Sequence, residues 1–108
     1  MDRDQLQRRR DEAAAEVRAL ESDLRAVFEA SRESNADDEH DPEGSTIAYE
    51  RAQLTAVLEA TRRRRTDLDD ALARLDAGTY GVCERCGRPI PPERLLARPA
   101  ARTCVACA

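Results

Sequence analysis

Apolar residues return along the first third of the chain with a helical beat. Leu6, Ala13, Leu20 and Val27 stand seven residues apart, and Val17 and Leu24 fill the same seam. No Gly or Pro interrupts residues 4–34, so the pattern predicts one helix from about residue 3 to about residue 34, roughly 45 Å long at about 1.5 Å per residue. The stripe is narrow and asks for a single partner helix. That partner follows a break: Ile47, Leu54, Leu58, Leu68, Leu72 and Leu75 recur at spacings built from three, four and seven, ending at Gly78. Two helices of similar length with one connector predict an antiparallel hairpin over residues 1–78. In that register Val27 lies level with Leu54, Leu24 with Leu58, Ala13 with Leu68 and Leu6 with Leu75. Arg10, Arg51, Thr61 and Arg65 fall on or beside the seam, where long arginine stems are expected to cross the apolar groove with their heads in water.

The connector, about residues 35–46, is dense in acid: Asp37, Asp38, Glu39, Asp41 and Glu43. Pro42 and Gly44 are expected to break the helix, and Ser45 or Thr46 to cap the next one by accepting from its first free backbone N–H groups. Ordinary solvation of a loop accounts for such acids, as does their preference for the positive end of a helix. Their place at the turn of a long hairpin adds a second reading, an acidic tip able to reach into a recess. His40 stands alone there and is not assigned as a ligand. The run Arg62–Arg65 wraps around a helix and is flanked by Glu59, Asp67, Asp69 and Asp70, so it reads as a solvated, salt-bridged face.

Composition narrows the class. Charged residues make up 37% of the 108, and Phe28, Tyr49 and Tyr80 are the only aromatics, which excludes a globular core of ordinary size and favours exposed helices. No apolar run approaches a membrane span. A net charge of −4 lacks the basic field of a nonspecific nucleic-acid binder. All basic residues are arginine, a preference on which no function is built.

The candidate chemistry lies in the last quarter. Cys83 and Cys86, then Cys104 and Cys107, form two Cys-x-x-Cys pairs separated by 17 residues, the spacing of a four-thiolate zinc site. Two tight turns each bring two sulfurs to one side of a metal and so supply a tetrahedron. Gly87 suits the first turn because it adopts positive φ without a Cβ clash. Disulfides are the alternative, but they belong to oxidising compartments. The charged start Met1-Asp2-Arg3-Asp4-Gln5 carries no apolar leader, so a cytoplasmic, reduced protein holding one Zn²⁺ per chain is expected. By ligand type alone iron stays open. Around the pairs, Gly78 ends the second helix, Arg88-Pro89-Ile90 completes a short knuckle, and Pro91-Pro92-Glu93-Arg94-Leu95-Leu96 starts a brief helix that Pro99 stops. The expected fold is mostly α: a long antiparallel coiled-coil hairpin over 1–78, then a small four-cysteine module over 79–108.

The run Tyr80-Gly81-x-Cys83-x-x-Cys86-Gly87-x-x-Ile90, followed by Arg94-Leu95-x-Ala97-Arg98-Pro99-x-Ala101-x-x-Cys104-x-x-Cys107, resembles the signature of the TraR/DksA family of zinc-finger transcription regulators. The preceding hairpin is also what that family has, so the resemblance covers most of the chain. It implies a regulator that binds bacterial RNA polymerase directly, without recognising promoter DNA. The hairpin would enter the secondary channel and bring tip acids, here Asp37, Asp38 and Asp41, toward the active centre to modulate promoter complexes. The alarmone ppGpp is a candidate co-ligand at that complex, although the basic residues of the family's alarmone site are not matched here. In the best-known members the tip reads Asp-x-x-Asp-x-Ala. Asp41 aligns with its first aspartate, while Gly44 and Thr46 replace the second aspartate and the alanine.

Two other classes compete with this reading. A direct nucleic-acid module would use Arg85, Arg88, Arg94, Arg98 and Arg102, against which stand the net charge and the shortage of stacking aromatics. A structural adaptor would oligomerise through the seam, whereas a hairpin that enters a channel is expected to work as a monomer. An enzyme is not expected, because four thiolates leave no open metal position and no general base or phosphate loop is present.

Overall fold

A computed structural model describes residues 1–34 and 42–108, and the side chains of residues 1–32 and 46–108. Asp37, Asp38, His40 and Asp41, the residues singled out at the hairpin tip, lie outside the described residues. Among the described residues three α-helices follow in order, α1 Arg3–Ser34, α2 Pro42–Ala77 and α3 Pro92–Ala97, with a 3-10 turn at Val105–Cys107.

The start of α1 is fixed by a reciprocal pair of bonds. The Gln5 backbone N–H donates to Asp2 Oδ1 at 2.8 Å, and the Asp2 backbone N–H donates to Gln5 Oε1 at 3.0 Å. This is a capping box, which satisfies two backbone donors that a helix start leaves free. The start of α2 departs from the expectation that Pro42 and Gly44 break the helix and that Ser45 or Thr46 caps it. The helix begins at Pro42 and runs through Gly44, Ser45 and Thr46. Proline is favoured at the first helical position, since its φ is already helical and its missing N–H would have had no partner there. A glycine in the first turn then costs only about 1 kcal/mol.

The chain forms two compact units. One holds Met1–Glu12 with Arg64–Ala108, the other Ala13–Arg63. In the first, Leu6 of α1 and Leu68, Ala71 and Leu72 of α2 are buried. Their antiparallel register is marked by ion pairs: Arg3 meets Asp76, and Arg10 Nε donates to Asp69 Oδ1 at 2.8 Å. Seven residues forward on α1 are thus seven back on α2. The head of Arg10 stays at the exposed surface, as expected, and meets a carboxylate there; the Asp69 hydrogen bond raises its pKa above the ordinary arginine value.

In the second unit the buried seam is Ala13, Ala14, Val17 and Val27 against Leu58 and Thr61. Thr61 is a polar residue only 4% exposed. It is tolerated because its hydroxyl donates to the Val57 carbonyl at 2.8 Å, satisfying the oxygen within its own helix. The Arg51 guanidinium lies over the Phe28 ring, 5.3 Å from its centre, and Arg62 pairs with Glu21 at 3.2 Å. Leu20, Leu24 and Leu54 flank the seam half-buried. Among the described residues no helix is long and apolar enough to cross a membrane.

Candidate metal centre

The site is built from the end of α2 onward. Gly78 takes φ +79°, the Gly78 N–H donates to the Leu75 carbonyl at 3.1 Å, and the Thr79 N–H donates to the Arg74 carbonyl at 2.9 Å. This is a Schellman cap, and its left-handed residue is glycine because a Cβ would strain there. The Tyr80 N–H also donates to the Arg74 carbonyl, at 3.2 Å. The chain therefore leaves the helix along a defined path. The Tyr80 hydroxyl then donates to the Pro99 carbonyl at 2.8 Å, pinning the exit to the segment that precedes the second cysteine pair.

The first pair sits on a knuckle. Val82 and Pro89 form an isolated antiparallel bridge, with the Cys83 N–H donating to the Arg88 carbonyl and the Ile90 N–H to the Gly81 carbonyl, both at 2.8 Å. Between them the Gly87 N–H donates to the Cys83 carbonyl at 2.9 Å, and Gly87 takes φ +74° as its place after the pair predicted. The second pair is tied down from two sides. The Glu84 N–H donates to the Arg102 carbonyl at 2.9 Å, and Arg94 Nε, on α3, donates to the Thr103 carbonyl at 2.8 Å. Cys83, Ile90 and Leu95 form a small buried core, with Tyr80, Ala101, Cys104 and Cys107 packed against it. Three buried side chains are far too few to order a module of this length without help.

That help is a metal site. The four sulfurs of Cys83, Cys86, Cys104 and Cys107 lie within 4.8 Å of one another, with Cys83 buried, Cys104 and Cys107 half-buried and Cys86 exposed. Cys86 Sγ and Cys104 Sγ are 3.8 Å apart. Four thiolates at about 2.3 Å from a central Zn²⁺ would stand about 3.8 Å apart at the corners of a tetrahedron, whereas a disulfide needs about 2.05 Å. All four cysteines are free of disulfides, so the cluster is dimensioned for one metal ion. In the metal-free cluster the thiols are unequal. Backbone N–H groups of Cys104 and then Cys86 stabilise the Cys83 thiolate and lower its pKa to about 6, while hydrogen bonding to Cys104 and then Cys83 pushes Cys107 up to about 12.

Around the cluster, Arg102 donates from one guanidinium nitrogen to Glu84 Oε1 at 2.9 Å and from another to Asp70 Oδ2, on α2, at 3.2 Å. Arg74 Nη2 reaches the Ala100 carbonyl at 3.4 Å, and its buried Nη1 has no partner among the described residues. Burial, followed by the neighbouring Arg102 charge, lowers the Arg74 pKa. The Arg102 and Arg74 contacts are not legible in the sequence, because a charged partner on another segment has no periodicity to reveal it. The acids proposed for the tip lie outside the described residues, so only the cysteines among the predicted site residues are seen together.

Comparison with known proteins covers both the module and the helices. Residues 78–108 match a family model described as the prokaryotic dksA/traR C4-type zinc finger. General stress protein 16O of Bacillus subtilis is 37% identical over 87% of this chain and 56% of its own length. The RNA polymerase-binding transcription factor DksA of Caulobacter vibrioides is 40% identical over 48% of this chain and 37% of its own. Among solved structures, transcription factor DksA2 from Pseudomonas aeruginosa superposes with a TM-score of 0.80 at 30% identity, covering 97% of this chain and 75% of that one. The chain spans between 32% and 56% of the length of the first curated relatives it matches.

Proposed function

Because the chain belongs to the DksA/TraR family of C4 zinc-finger proteins, we propose that it is a bacterial transcription regulator that acts by binding RNA polymerase. The observation that carries the reading is the likeness to a transcription factor over 97% of the chain, helices and four-cysteine module together. In this reading Cys83, Cys86, Cys104 and Cys107 hold one Zn²⁺, whose four-sulfur shell leaves no position for a substrate. The zinc organises the module and performs no catalysis. The helical part, residues 1–78, is the arm and residues 79–108 the base. The arm enters the polymerase secondary channel as a monomer, in the cytoplasm, and Asp37, Asp38 and Asp41 approach the active centre to change the lifetime of promoter complexes. Whether ppGpp acts at the same complex is answered by transcription assays with and without it, using zinc-loaded protein.

The test is a pull-down with the cognate core polymerase. Recovery at micromolar concentration is expected, and its failure overturns the proposal. Asp41→Asn is expected to alter transcription while leaving polymerase binding within about twofold, and equal loss of both would remove the tip's separate role. Direct nucleic-acid binding is the weaker reading. Of the five arginines offered for it, Arg102 is engaged with Glu84 and Asp70, and Arg94 with Thr103. A salt-dependent DNA titration with affinity in the micromolar range would reinstate it.

A further inference from the structure

One guanidinium joins three segments. Arg102 stands two residues before Cys104 and bonds Glu84, which stands one residue after Cys83, and it also bonds Asp70 on α2, thirteen residues before the nearest cysteine. The Arg102–Glu84 contact is doubled by the Glu84 N–H donating to the Arg102 carbonyl at 2.9 Å. The two cysteine turns are thus fastened to each other beside the sulfur cluster, and the fastening is anchored on a helix.

We propose that Arg102 is a positioning residue for the metal centre, and that through it Asp70 of α2 sets part of the zinc affinity. The argument is geometric. A tetrahedral site needs both cysteine turns at a fixed separation, and groups that hold ligand-bearing segments in place raise affinity by limiting what the metal must reorganise. Coupling runs both ways: if Asp70 strengthens zinc binding by some factor, zinc strengthens the Asp70–Arg102 contact by the same factor. The side chains of Arg102, Asp70 and Glu84 are each about half exposed (45%, 51% and 49%). Solvent therefore screens the pairs and the effect is modest, about two- to fivefold in zinc affinity for loss of the Asp70 arm.

The proposal rests on the four cysteines holding the metal, and the experiment separates the two. Full-length protein is titrated with zinc against a chromophoric chelator at low salt, as wild type, Asp70→Asn, Arg102→Gln and the double variant. Glu59→Gln, the same charge change at an exposed α2 position eleven residues from Asp70, is the control. Asp70→Asn is expected to weaken zinc binding two- to fivefold. The effect should vanish in the Arg102→Gln background and shrink at about 1 M salt, where the screening length is about 3 Å. As a reciprocal readout, zinc should slow amide exchange at Thr79 and Tyr80 more in wild type than in Asp70→Asn. Zinc affinity indifferent to Asp70, an equal loss in Glu59→Gln, or an undiminished effect without Arg102 overturns the clamp. Wild-type protein that takes up no zinc overturns the clamp together with the metal site beneath it.

Discussion

Residues 13–63 and the four-cysteine module achieve order by opposite means. The helical unit is held by an apolar seam of small side chains, Ala13, Ala14, Val17 and Val27 against Leu58 and Thr61. The module buries only Cys83, Ile90 and Leu95. It is knit instead by directed polar links, Tyr80 to Pro99, Arg94 to Thr103 and Arg102 to Glu84, around a cluster sized for a metal ion. Dispersed burial suits a helix pair, because each turn adds one more modest contact. A chain of about thirty residues without a core needs a few strong bonds in one place.

The widest break in that comparison comes from removing zinc. A structural site of this kind contributes on the order of 10 kcal/mol to the module it organises. Chelation, or Cys83→Ser, is expected to abolish amide protection across residues 83–107 while protection in the seam around Val17 survives. Residue-resolved hydrogen exchange reads both at once, and simultaneous collapse would show that the two regions do not differ as described. The converse change is Leu58→Ala, which opens a cavity in the seam. It is expected to cost about 2–4 kcal/mol in denaturant unfolding of the helices and to leave zinc affinity within about twofold.

A sharper contrast comes from pH. In the metal-free cluster Cys107, raised to about 12, is protonated at neutral pH, while Cys83, lowered to about 6, is already a thiolate. Zinc must displace the Cys107 proton, so lower pH favours the metal-free form and affinity falls about tenfold per pH unit for each proton released. The fall should steepen below about pH 6, where Cys83 also takes up a proton. Chelator competition between pH 8 and pH 5.5 measures it, and a flat profile would mean that the thiols are already ionised. The helical seam contains no such group and is expected to show no matching transition. The smallest effect is expected at Glu21→Gln, which removes the exposed pair with Arg62. It should cost less than about 0.5 kcal/mol in a thermal melt.

These two means of construction also differ in how far they could be read from sequence. The helices were legible because burial imposes a period, and Leu6, Ala13, Val17, Val27, Leu58, Leu68 and Leu72 all stand where the pattern put them. The burial of Ala14 and Ala71 is not legible in the pattern, since alanine serves a surface and a close helix contact equally well. The cysteine spacing announced the cluster, and Gly78 and Gly87 have the positive φ their positions required. The capping box at Asp2 and Gln5 is written only as a three-residue spacing of two common polar residues, a faint signal beside the apolar period. Arg10 keeps its head at the exposed surface as expected, but its partner Asp69 is delivered by the register of the facing helix, which the pattern along one helix does not show. For Pro42, two signals competed, helix breaker and first-turn residue, and the second won.

The exit from α2 carries a mechanical consequence. From Gly78 to Tyr80 every backbone N–H is committed to the last turns of the helix, and by Cys83 the chain is already bonded into the knuckle. Such a joint has no slack in which to swivel. A twist applied to the cysteine module is delivered to the end of α2 as torque, and lengthening the last turn of α2 by even one residue would act like a slipped gear tooth, turning the joint by about a quarter-turn or more about the helix axis.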